Sequence, residues 1–124
     1  VPVEIKVPWP ATALSPNVRA HWSRGYKARQ MYRCLCRIEA DSQVAWDKSL
    51  PEKLHLHLVF HKPTKRHYDL DNLIARMKSG IDGVCDSLQI NDKRFESNSA
   101  EFVDVNDESR RVGGHVLIII KGTP

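Results

Sequence analysis

The chain has 124 residues, 41% of them hydrophobic and 27% charged, with a formal net charge of +4. That length suits one hydrophobic core and is too short for two ordinary domains, so a single domain over residues 1–124 is expected. No run approaches the roughly 20 apolar residues that cross a bilayer, and Val1-Pro2-Val3-Glu4-Ile5-Lys6 has neither the basic start nor the apolar core of a signal peptide. Membrane insertion is therefore not expected, and the cytoplasm is the expected compartment.

Val3, Ile5 and Val7 alternate with polar neighbours before Pro8-Trp9-Pro10, which predicts a short strand ended by prolines. Residues 11 to 26 hold Pro16, Asn17 and Gly25 with no sustained period and read as a long surface loop carrying Arg19, His21, Trp22 and Arg24. From Lys27 to Trp46, Ala28, Met31, Leu35, Ile38 and Ala45 follow helical spacing, with Arg29, Arg33 and Arg37 at four-residue steps on another face. The expected helix is amphipathic, with that apolar set inward and a basic stripe outward. Leu54, Leu56, Leu58 and Phe60 alternate with polar residues and predict a strand from about Glu52 to His61. After a basic loop, Leu70, Leu73, Ile74, Met77, Ile81, Val84 and Leu88 keep one face of a helix, in which Gly80 and Gly83 mark weak points or close packing. Ala100 to Val105 and Gly114 to Lys121 read as strands, the last well buried, with Asp107 to Gly114 as a hairpin connection.

The charge is unevenly spread. Arg19, Arg24, Lys27, Arg29, Arg33 and Arg37 have no acid among them, Lys62, Lys65, Arg66 and His67 form a second basic cluster, and Glu96 to Glu108 is acidic. Such asymmetry suits a polyanion partner; the simpler reading is the solvated face of a helix. Cys34 and Cys36 point to different faces of one helix, and with Cys85 they offer neither a disulfide framework nor the Cys-x-x-Cys or His-x-x-x-His spacing of a zinc site.

The segment Arg66-His67-Tyr68-Asp69-Leu70-Asp71-Asn72-Leu73 puts two carboxylates where an extended loop enters a helix. With Asp71 at the helix start, its side chain caps backbone N–H groups while Asp69 converges from the incoming chain. Acids at a helix N-terminus are also stabilised by the macrodipole with no catalytic purpose. A third acid, Asp92, follows the helix, and the loop from Leu88 to Asn91 must travel back for it to join the pair. Converging aspartates are the donor set of a hard cation such as Mg2+, which polarises phosphate and activates water. Asp71, Lys78 and Asp82 fall near one edge of the same helix, where Lys78 either offsets phosphate charge or pairs with its acidic neighbours.

Taken together, the opening strand with Pro8-Trp9-Pro10, the loop with Asn17 and Arg19, the basic helix and the block Asp69-Leu70-Asp71-Asn72-Leu73 resemble the RusA-like Holliday junction resolvases. The resemblance implies a single-domain α/β (α+β) fold with a mixed sheet of about four strands and two main helices. It implies a homodimer that nicks four-way DNA junctions symmetrically, in recombination and repair, with Mg2+ or Mn2+ held by Asp69, Asp71 and Asp92. Asn72 would order the site, and Arg19, Arg24, Arg29, Arg33, Lys65 and Arg66 would hold phosphates. Two positions depart from the family. The usual catalytic lysine is Ala75 here, with Lys78 restoring it only across an insertion, and the often basic position before the first aspartate is Tyr68. A non-catalytic nucleic-acid-binding module, in which the aspartates only cap a helix, is the alternative, and a plain interaction domain a third.

Overall fold

A computed structural model describes residues 2–16, 22–45 and 49–123, and only the backbone of Trp22 and Ser23. Four strands, β1 (Val3–Pro8), β2 (Leu54–His61), β3 (Phe95–Val103) and β4 (His115–Gly122), form one sheet in the order β1-β4-β2-β3. β4 is antiparallel to β1 and β2, whereas β3 runs parallel to β2. Parallel neighbours need a long crossover, and residues 62–94 supply it through α2 (Leu70–Arg76) and α3 (Lys78–Leu88). The mixed α+β architecture expected from the sequence is therefore present, with α1 (Trp22–Gln43) completing the helical layer.

The period of 2 along the strands decides which face the helices cover. Val3, Ile5, Val7, Leu54, Leu56, Leu58, Phe60, Val116, Ile118 and Ile120 are buried with Tyr32, Cys36, Ala40, Leu73, Met77 and Val84 of the helices. His55, His57, His115, Leu117 and Ile119 alternate with them and are half-buried, so β4 is covered fully on one face only. Gln43 seals the outer edge of β1: its Oε1 accepts from Lys6 N at 2.7 Å and its Nε2 donates to Lys6 O at 2.8 Å, replacing a neighbouring strand.

Three expectations are corrected. First, α1 begins at Trp22, so Trp22 and Arg24 belong to a helix, and the helix turns a different face inward. Tyr32, Cys36 and Ala40 are buried, while Met31, Leu35 and Ile38 are 67%, 42% and 54% exposed. The reason lies in α3, where Gly80 and Gly83 remove the side chains that would hold α1 away. A Cβ on Gly80 would come within 2.5 Å of the Tyr32 ring, and one on Gly83 would run into the Arg33 carbonyl. Second, the helix expected from 70 to 88 divides at Met77, not at its glycines. Met77 is fully buried and its N–H bonds Ile74 O at 3.1 Å, a tightened turn that redirects the chain. Third, no hairpin joins β3 to β4, since β2 lies between them. The connection instead contains α4 (Asp107–Val112), closed by an Asn106–Ser109 capping box and by Gly113 at φ 78°.

Candidate metal and nucleic-acid site

Asp69, not Asp71, caps α2. Its backbone is extended, and its Oδ1 accepts from Asp71 N at 3.0 Å and from Asn72 N at 3.5 Å. Asp71 occupies the first turn and is exposed. Neither carboxylate forms an ion pair among the described residues, although Lys65 and Arg66 precede them in the chain. The incoming loop is braced by aromatic contacts: Tyr68 meets Trp9 edge-on at 5.2 Å, its hydroxyl lies 2.9 Å from Thr64 Oγ1, and the Arg66 guanidinium lies 5.4 Å above its ring. Tyr68 thus anchors Arg66 on the loop that leads into Asp69.

Asp92 does travel back. Gln89 ends α3 in the left-handed region at φ 55°, and the N–H groups of Gln89 and Ile90 both bond Cys85 O. That reversal brings Asp92 Oδ2 to 3.3 Å from Lys78 Nζ, whose other acidic neighbour is Asp82 Oδ1 at 3.4 Å. The hydrogen bond to Asp92, then the charge of Asp82, holds the Lys78 ammonium above its ordinary range. Asp82, Asp86 and Asp92 share an open cleft of about 300 Å3 with Arg33 and Cys85. Burial, reinforced by these three aspartates, pushes the Cys85 thiol up to about 12, which removes it as a nucleophile. A larger cavity, about 470 Å3, is lined by Lys6, Trp9, Glu39 and Val112 and by none of the candidate residues.

The three aspartates are not brought together. Among the described residues no three His, Cys, Asp or Glu side chains converge to hold one ion. Their oxygen chemistry suits a hard cation, but Asp92 pairs with Lys78 at the start of α3, on the other side of the Met77 turn from Asp69 and Asp71. As they stand, Asp69, Asp71 and Asp92 do not fit a single ion.

The chain is 39% identical over 121 residues to an uncharacterised protein of Xylella fastidiosa, an alignment that covers 95% of this chain and 75% of that one. It belongs to the family of that protein. No family model matches the chain. Among solved structures, the periplasmic domain of Helicobacter pylori MotB is similar at a TM-score of 0.44 and 16% identity, over 98% of this chain and 83% of that one; so distant a likeness says nothing of the chemistry. No helix among the described residues is long and apolar enough to cross a membrane.

The basic residues of this family member fall into two groups. Arg24 and Arg29 on α1, and Lys65 and Arg66 before α2, are exposed and make no ion pair among the described residues. Arg33 is already engaged: its Nε and Nη2 grip both Asp86 oxygens at 2.7 and 2.9 Å, which holds the Asp86 carboxyl below its usual range. Arg33 is thus a structural tie between α1 and α3. Arg19 lies outside the described residues. Asn72 is tied to both sides, its Nδ2 donating to Ser15 Oγ at 3.0 Å and its Oδ1 accepting from Arg76 Nε at 3.0 Å. Asp86 and Ser15 had no signal in the sequence, because each partner lies more than 50 residues away in the chain; Arg76 had one, its four-residue step from Asn72.

Proposed function

We propose that the chain is a homodimeric, structure-selective endodeoxyribonuclease of the RusA-like type, acting in the cytoplasm on four-way DNA junctions in recombination and repair. The observation that carries this reading is the pair Asp69 and Asp71, exposed and without an ion-pair partner among the described residues, directly after the basic loop of Lys65 and Arg66. A carboxylate pair left uncompensated, with cationic residues just before it in the chain, suits a site that takes a cation on one side and phosphate on the other. Mg2+, or Mn2+ in its place, matches the donor chemistry of Asp69, Asp71 and Asp92, and the segment from Gln89 to Asn91 is the one that would have to close the gap. Arg24, Arg29, Lys65 and Arg66 hold phosphates, Asn72 fixes the Asp69 turn, and Lys78 offsets developing negative charge near Asp92.

Two observations favour a second reading, a nucleic-acid-binding module without cleavage: Asp69 is already used as a helix cap, and Lys78 already neutralises Asp92. One assay separates the two. Wild type and Asp71→Asn are incubated with a mobile four-way junction and with linear duplex, in Mg2+ or EDTA. The endonuclease reading expects paired nicks on the junction alone, lost with EDTA and with the substitution while binding persists. Tight junction binding with no cleavage in any divalent metal sinks it.

A further inference from the structure

The connection from β1 to α1 is fastened to the very turn that carries the aspartate pair. Asn72 sits at the centre of the fastening. Its backbone N–H holds the Asp69 carboxylate, its Nδ2 donates to Ser15 Oγ at 3.0 Å, and its Oδ1 accepts from Arg76 Nε at 3.0 Å. Arg76 then reaches across to Pro10 O with Nη1 at 3.4 Å, 66 residues away in sequence. The guanidinium fork therefore does two things with one rigid plane. By donating to Oδ1 it sets the Asn72 amide so that Nδ2 faces Ser15, and it pins Pro10 at the other end of the same loop. Pro10 and Ser15 are both buried, and the 3-10 turn Thr12–Leu14 lies between the two anchors. Trp9, next to Pro10, packs on Tyr68, next to Asp69.

We infer that Arg76 is a positioning residue: with Asn72 it locks the loop of residues 10–16 to the start of α2 and sets the geometry of Asp69 and Asp71 without touching the phosphate. This rests on the proposed nuclease function for its kinetic consequence, and not for the clamp itself. The Arg76 guanidinium is spent on Asn72 and Pro10, while Lys78 is the cation that pairs with Asp92.

The test compares Arg76→Ala and Arg76→Lys with wild type in three readouts: amide exchange of Leu14 and Ser15, whose N–H groups close the 3-10 turn; junction affinity; and the single-turnover cleavage rate. Lysine keeps the charge and loses the fork. The expected result is faster exchange at Leu14 and Ser15 in both variants. Cleavage slows by about ten- to a hundredfold, with junction affinity within about threefold of wild type. Full rescue by lysine would show that charge alone matters and overturn the inference. So would unchanged exchange, or a rate loss matched by an equal loss of affinity. Should the wild type cleave nothing, the nuclease reading falls, and the exchange data alone still decide whether the clamp exists.

Discussion

The two acidic groups on either side of Met77 are built in opposite ways. Above it, the Asp69 carboxylate accepts from the backbone N–H groups of Asp71 and Asn72, the Asp71 side chain is exposed, and no cation among the described residues pairs with either. Below it, Asp82, Asp86 and Asp92 are each held by a basic side chain, Lys78 or Arg33. Hydrogen bonds from N–H groups fix a carboxylate while leaving its charge available; an ion pair fixes it by consuming that charge. The upper carboxylates therefore keep their charge, whereas those of the lower group are already neutralised by a partner. The seam beneath the lower group is also the tighter one, because α1 and α3 meet there across glycine.

The largest effect expected from disturbing this contrast is at the seam. Gly83→Ala drives a methyl group into the Arg33 carbonyl and should cost about 3 kcal/mol or more, measured by chemical denaturation; a loss below about 1 kcal/mol would mean that the helices separate freely. Next comes the upper pair. Asp71→Asn should lower cleavage by about a hundredfold or more while leaving the melting temperature unchanged. Asp69→Asn should act alike, because asparagine caps as well as aspartate, whereas Asp69→Ala should lose about 1 kcal/mol in addition. If Asp69→Asn cleaves normally, the aspartate is a cap and nothing more.

A smaller effect belongs to the lower group. Arg33→Ala breaks a bidentate pair whose two side chains are 44% and 34% exposed, so solvent screening limits the loss to about 1 kcal/mol or less. Salt should shrink that difference, and junction affinity should hardly change, unlike in Arg66→Ala. The smallest effect lies away from both groups, at the His61–His115 stack, where the ring centroids are 4.1 Å apart. Burial, then His61 and Lys6, depress the affinity of His115 for a proton below its ordinary value of 6.5, against a small opposing effect of Glu108. Above that value both folded and unfolded chains are neutral at this position. Below it the unfolded chain takes up the proton first, so stability should fall as the pH is lowered through about 6. Thermal melts at pH 7.5 and 5.5 should differ more for wild type than for His115→Gln.

How much of this was legible in the residues depends on distance along the chain. β1 and β2 followed from alternation, β4 from a continuous apolar run, and the aspartate pair at a helix start from the change of loop to helix there, since these are patterns within a few residues. The inward face of α1 was misread for a physical reason. Met31, Leu35 and Ile38 are large and apolar, yet α1 meets α3 at Gly80, where the missing side chain leaves room for Tyr32 and Cys36, so their face goes inside. The break at Met77 was equally hidden, because an apolar residue at a helical position gives no sign of a tightened turn.

The sequence by itself determined β1, β2 and β4, the later half of β3, the existence of the helices α1 to α3, the basic character of the first half and the place of Asp69 and Asp71 at a helix start, because backbone periodicity, capping and charge are local properties. Tertiary structure alone decided that Arg33 is spent on Asp86, that Gln89 turns Asp92 back to Lys78, and that Arg76 and Asn72 bind residues 10–16 to the carboxylate turn. Each of those depends on which distant surfaces meet, and that is settled by packing at Gly80, Gly83 and Met77 rather than by the residues that use it.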